Sequence, residues 1–144
     1  KLPLGTPPVM DIALLRSSFD AVRPNADDAA KAFYGTLLGT FPQVRPLFAK
    51  TDFTEQRKKL MATLAAVVQM VDKPDELLPA LDKMGRSHVD YGVTADMYPY
   101  VAFSLQHTLA GYFGDKWTAE MATTWGEALD VVSARMIAAQ EAAA

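Results

Sequence analysis

Polar residues sit on several helical stripes where apolar ones are expected, and these are the places where chemistry could occur. In Asp75–Gly92 the apolar line is Leu77, Leu81, Met84, His88, Tyr91, at spacings of four, three, four and three. Residues three and four apart share a helix face, so His88 points toward the core. An imidazole there can bond a backbone carbonyl as an ordinary core histidine, or ligate a metal through a ring nitrogen. Met84 lies one turn earlier on the same face, so the two cannot be opposite ligands of one ion. The line Phe53, Gln56, Leu60, Leu64, Val67, Val71 turns Gln56 inward as well. Gln56 is either a wet residue in a first helical turn or a hydrogen-bond donor aimed into a cavity. Tyr34 falls on the line Ala30, Tyr34, Leu37/Leu38, Phe41, and Tyr98 on the line Tyr98, Val101, Leu105, Leu109, Tyr112. Both rings suit a core, and both hydroxyls need partners. His107 falls off its apolar line and reads as surface. Arg57-Lys58-Lys59 lies opposite the Leu60 face, as a solvated cluster or a contact to a carboxylate of a bound ligand.

These residues must be carried by helices. No stretch alternates apolar and polar residues, and no Asn-Gly or Asp-Gly turn is present, so the reading is all-α. A first helix spans about Val9–Asp20. Pro24-Asn25 breaks the chain, and Asn25 or Asp27 caps the next helix. The proline-rich segment Phe41–Phe48 is too interrupted for a long helix. Asp52 caps a helix to about Val71, with Glu55 three residues on as in a capping box. Pro74 opens another, ending near Tyr91-Gly92. Thr94 starts a helix that ends near Gly111 or Gly114, and Thr118 starts the last. In that last helix Trp117, Met121, Trp125, Leu129, Val132 and Met136 form a core stripe.

The chain has 144 residues, half of them hydrophobic and 22% charged, which is one domain with one sizeable core. Residues 1–8 are set aside as a leader or artificial remnant, leaving 9–144 as the domain. A net charge of −3 offers no basic surplus for nucleic acid. The longest apolar run, 62–71, holds Gln69 and is too short to span a bilayer. There is no cysteine, which excludes thiolate metal sites, disulfides and covalent Cys-x-x-Cys-His haem attachment. Two histidines do not suffice for a multi-histidine metal site. No phosphate loop, His-Glu-x-x-His or Gly-x-Ser-x-Gly is present. A cytoplasmic location is expected.

Taken together, these residues resemble a globin over nearly all of 9–140, closest to bacterial single-domain haemoglobins and the haem domain of flavohaemoglobins. The resemblance rests on Phe33-Tyr34, the segment F-P-Q-V-R-P-L-F ending at Phe48, Gln56 with Leu60, K-M-G-R-S-H-V-D-Y-G-V around His88, and Met97-Tyr98-Pro99. The order and spacing match the family: 14 residues from Tyr34 to Phe48, 8 on to Gln56, 32 on to His88.

The resemblance implies a globin fold of six to eight helices around a haem pocket. It makes His88 the proximal iron ligand, with Tyr34 and Gln56 bonding a diatomic ligand on the distal side. Phe48 would stack on the haem, and Leu60, Val93 and Val101 would pack on it. Tyr98 would crowd the proximal side, where the family also has a glutamate. That position falls on Gln140, so the carboxylate is missing unless Glu141 substitutes, and peroxidase-like chemistry is expected to be weak. Ser87 could bond the imidazole or a haem propionate. The implied cofactor is non-covalent haem b, and the implied ligands are O2, NO and CO. The implied activity is reversible O2 binding, with nitric-oxide dioxygenase activity if a separate reductase supplies electrons. The protein would be a monomer or homodimer. Two other classes stay open: a haem-based gas-sensor domain of a longer signalling protein, and a helical scaffold without haem.

Overall fold

The computed structural model describes residues 10–143, and every regular element among them is helical. The expected leader, residues 1–8, lies outside the described residues. Six α-helices follow one another: α1 Ile12–Val22, α2 Ala26–Thr40, α3 Phe53–Met70, α4 Pro74–Asp90, α5 Tyr98–Phe113 and α6 Ala119–Ala143. Short 3-10 turns at Arg23–Asn25, Pro42–Phe48, Ala95–Met97 and Gly114–Lys116 join them.

Local chemistry sets the boundaries. Asp11 accepts a hydrogen bond from the Leu14 amide (3.0 Å) and caps α1 at Ile12, and the expected start at Val9 lies outside the described residues. Asn25 stands at the N-cap position of α2, but neither its side chain nor that of Asp27 makes a capping bond. The Ala26 amide is already bonded to the Arg23 carbonyl in the preceding turn, Asn25 donates to Tyr112 Oη (3.0 Å), and Asp27 pairs with Arg57 (2.7 Å). Asp52 caps α3 through the Thr54 and Glu55 amides. Glu55 pairs with Lys58 (3.6 Å) instead of completing a capping box. Thr94 precedes a 3-10 turn, and α5 begins only at Tyr98, with Pro99 in its first turn. Thr118 Oγ1 accepts from the Met121 amide (3.1 Å) and caps α6.

The end of α4 matters most for the site. Gly92 takes φ 85°, a left-handed conformation that costs glycine little. The Gly92 amide then bonds the Val89 carbonyl, and the Val93 amide bonds the His88 carbonyl, each at 3.0 Å. This pair of bonds is a Schellman motif, and it places His88 in the last turn of α4.

α6 lies along α4 as the most extensive helix pair, and α2 packs on α5. α4 and α6 approach closely at Gly85, where a Cβ would stand 2.4 Å from the Met136 carbonyl oxygen. α3 and α4 touch far less. The core is accordingly divided. One cluster gathers Phe19, Phe33, Tyr34, Leu105 and Trp125, with Phe48, Phe53 and Leu60 against it. The other gathers Leu77, Leu81, Tyr98 and Met136, with Met84 and Val93 against it. A domain of this size ordinarily builds one contiguous core. Among the described residues no helix is long and apolar enough to cross a membrane.

Candidate functional site

The first cluster holds a polar pair. α2 carries Tyr34, only 6% exposed, with Phe33, Phe48 and Phe53 edge-on around its ring at centroid distances of 4.9–5.7 Å. Phe48 reaches Tyr34 because Pro42 and Pro46 bend the chain through a tight 3-10 segment, whose Arg45 Nε donates to the Leu38 carbonyl at the end of α2 (3.0 Å). Gln56, in the first turn of α3 and half-buried, donates from Nε2 to Tyr34 Oη at 3.0 Å. The tyrosine oxygen is thus the acceptor of this bond, and its own proton remains free to donate elsewhere. Burial pushes the Tyr34 hydroxyl above its ordinary titration range, the Gln56 bond opposing this in part. Tyr34 therefore stays a neutral donor at physiological pH.

His88 belongs with the second cluster. Its Nδ1 lies 2.6 Å from the Met84 carbonyl oxygen, one turn back on α4. A carbonyl only accepts, so Nδ1 carries the proton and Nε2 keeps its lone pair. Burial holds the imidazole below the usual histidine range, which favours this neutral form. The Tyr98 ring stands 6.3 Å from the imidazole, centroid to centroid. Tyr98 is buried, and its hydroxyl donates to Gln140 Oε1 at 2.9 Å. Gln140 Nε2 in turn donates to the Val93 carbonyl at 2.6 Å. The missing carboxylate is not replaced: Glu141 is exposed, and Gln140 itself bridges Tyr98 and Val93. Ser87 is half-buried and does not hold the imidazole, because the Met84 carbonyl of the same helix occupies Nδ1.

Of the other expected site residues, Phe48 and Leu60 pack on the Tyr34 cluster and Val93 on the Tyr98 cluster. Val101 is 40% exposed and outside both. Tyr91, on the apolar stripe of α4, turns outward at 59% exposure. Lys59 Nζ of α3 stands 5.2 Å over its ring, which joins the rims of α3 and α4. The basic run 57–59 thus divides its work, with Arg57 on Asp27 and Lys59 on Tyr91. His107 is exposed and stacks on Phe103.

The donor set is a single imidazole, His88, whose Nδ1 is taken by the Met84 carbonyl. Among the described residues no three His, Cys, Asp or Glu side chains come together to hold a bare metal ion. His88 offers one ligand atom, so any iron at this site must bring its own equatorial donors, as a porphyrin does.

A family model described as Globin matches residues 31–136. The flavohemoprotein of Bordetella parapertussis is 28% identical over 132 residues, covering 90% of this chain and 33% of that protein. The flavohemoprotein of Pseudomonas aeruginosa is likewise 28% identical, over 90% of this chain and 34% of its own length. The chain therefore spans about a third of these relatives. Among solved structures, an engineered carbene transferase, a proposed nitric oxide dioxygenase from Rhodothermus marinus, superposes with a TM-score of 0.81 at 26% identity, covering 92% of each chain. A bacterial globin from Campylobacter jejuni superposes at 0.78 and 20% identity, over 90% of this chain and 94% of that one.

Proposed function

The chain belongs to the globin family, and we propose that it holds haem b non-covalently and binds O2 reversibly. The observation that carries this reading is the Gln56–Tyr34 hydrogen bond in one core cluster, with the proton-free Nε2 of His88 at the other. Haem iron, when bound, supplies coordination of diatomic gases and one-electron redox chemistry. His88 Nε2 would hold that iron. Phe48, Leu60, Val93 and Val101 would pack on the ring. Lys59, over the Tyr91 ring, and Ser87 would be available to its carboxylates. Without cysteine the chain has no thioether attachment, so burial and the single imidazole must retain the group.

On the distal side the chain contributes oriented donors. Gln56 donates to the tyrosine oxygen and leaves the hydroxyl proton free to donate to a ligand. An O2 ligand that takes on negative charge is favoured by this donor over an uncharged one such as CO. A hydrogen bond to a charged group contributes about 1.5–3 kcal/mol, so O2 release should be slowed roughly 10- to 100-fold.

The same pocket supports a finer reading as a nitric oxide dioxygenase, in which NO, O2 and one electron give nitrate. The electron would come from a separate reductase. The flavohemoprotein and Rhodothermus relatives support this reading. Gln140 gives the proximal side an amide in place of a carboxylate, which argues for O2 binding ahead of peroxidase chemistry.

The test is spectroscopic. Purified protein, reduced and exposed to O2, should show a Soret shift that reverses under argon, and with NO and a reductase it should form nitrate. A protein that stays colourless after haem is added would overturn the whole reading. Oxygen binding without nitrate formation would overturn the dioxygenase reading alone.

A further inference from the structure

The chain is 22% charged, yet the tracts 32–44 and 97–114 hold no Asp, Glu, Lys or Arg. The first covers the second half of α2 and part of the turn after it, and the second contains all of α5. The two helices touch and run antiparallel. Asn25, just before α2, bonds Tyr112 late in α5 (3.0 Å), and Phe41, just after α2, stacks on Tyr100 early in α5 (4.3 Å between centroids). Tyr34 and Tyr98 are buried on their inner faces. Their outer faces together make one surface without a fixed charge.

That surface has a ridge and, beside it, a groove. On α5 the spacing of Tyr100, Phe103, His107 and Gly111 puts them on one line. Phe103 is 49% exposed, with the Phe41 ring edge-on to it at 5.7 Å and the exposed His107 ring stacked on it at 5.8 Å. The rings hold one another in place before anything covers them, so covering them costs little conformational freedom. Along α2, the small side chains of Ala32, Thr36, Gly39 and Thr40 are exposed or half-buried. Nothing lies within 4 Å of a Cβ added to Gly39.

We propose that this face docks a second copy of the chain, α5 of each copy lying on the α2 groove of the other. Charge selects the occupant. The chain carries −3, so two copies repel overall and meet at least cost through a face without fixed charge. A strongly acidic or basic partner finds nothing there to pair with. Shape agrees. A two-fold axis parallel to the helices lays the ridge of one copy on the groove of the other, and symmetry supplies the reverse contact. Because α2 and α5 are antiparallel, Phe103 then meets Gly39 and Thr40 of the second copy, and His107 meets Thr36. The inner faces are left untouched, so neither the face nor its test depends on haem. The face is smaller than the roughly 20–30 residues a side of a standard interface, and a dissociation constant on the order of 10–100 µM is expected.

The experiment is sedimentation velocity of the purified protein from about 1 to 300 µM, a range that spans this constant. The coefficient should rise from monomer to dimer with concentration. Phe103→Glu and Gly39→Met should each raise the dissociation constant at least about 10-fold, with both variants folded by circular dichroism. Val131→Glu, which changes an exposed apolar side chain on α6, should leave it unchanged. The chain has no cysteine, so introduced ones report the register. A mixture of His107→Cys and Thr36→Cys should form a disulfide faster than either variant alone. A parent that stays monomeric at the highest concentration overturns the proposal, as does a dimer that survives Phe103→Glu and Gly39→Met. A monomer that instead sediments with phosphatidylcholine vesicles, and no longer does so as Phe103→Glu, assigns the face to lipid and overturns the second copy. Cross-linking no faster in the mixture than in the single variants overturns the placing of α5 on α2.

Discussion

Replacing Gly85 with alanine tests whether α6 sets the position of the histidine-bearing helix. Gly85 is buried, and a Cβ placed there would lie 2.4 Å from the Met136 carbonyl oxygen and 3.0 Å from its carbonyl carbon and Cα. All three are backbone atoms, so no side chain can swing away. Real Cβ contacts stay beyond 3.0 Å, and α4 must retreat from α6 by about 0.6 Å or more. Overpacking of this kind costs about 1–3 kcal/mol, and alanine returns up to about 1 kcal/mol as the better helix former. The immovable partner puts the net loss near 2 kcal/mol, a fall in Tm of about 4–8 °C for a domain of this size. Gly35, in the exposed face of α2, provides the opposite case. Nothing lies within 4 Å of its added Cβ, so Gly35→Ala should gain about 1 kcal/mol and raise Tm by about 2–4 °C. Both are measured by thermal unfolding in the same ligation state. A Gly85→Ala protein as stable as its parent, or more so, refutes the close crossing of α4 and α6.

Tyr34→Phe removes the distal donor and should speed O2 dissociation roughly 10- to 100-fold in stopped-flow exchange against CO; an unchanged rate would mean Tyr34 does not reach the ligand. Lys59→Met should raise the rate of haem transfer to an acceptor apoprotein by up to about 5-fold, the scale of one exposed charge contact, and slower transfer would contradict a role at the cofactor's carboxylates. The Arg135 guanidinium beside Asp82 holds that carboxyl below its ordinary value of 3.8. Its stabilisation is therefore complete above that value and is lost as pH falls through the lower folded pKa. Asp82→Asn should flatten the acid limb of the stability curve in that range, and an acid limb as steep as the parent's would show that the pair carries none of it.

Much of the site is legible in the sequence because helical period reports burial of side chains one at a time. Tyr34, Gln56, His88 and Tyr98 each stood out as polar groups on apolar lines, and the structure brings Gln56 to Tyr34 and Tyr98 to His88. Asp52 and Thr118 were readable as helix starts because a cap acts within three residues. What period cannot report is tertiary partnership. Gln140 reads as a missing carboxylate, and its hydrogen bonds to Tyr98 and Val93 span 42 and 47 residues. Asn25 has the residue type of a cap, but a partner 87 residues away takes its side chain. Tyr91 continues the α4 stripe in sequence, yet the helix ends there and the ring turns outward toward Lys59. The tightness at Gly85 carries no signal in the sequence, because the contact is made to a backbone carbonyl.

The central claim is that His88 is the axial ligand of a bound haem. Its most direct measurement is the visible spectrum of the ferrous protein and of His88→Gly, with and without added imidazole. The parent should give a five-coordinate ferrous spectrum, which is lost or markedly changed in His88→Gly and recovers when imidazole fills the vacated space. A His88→Gly protein with the parent's spectrum, indifferent to imidazole, would contradict it.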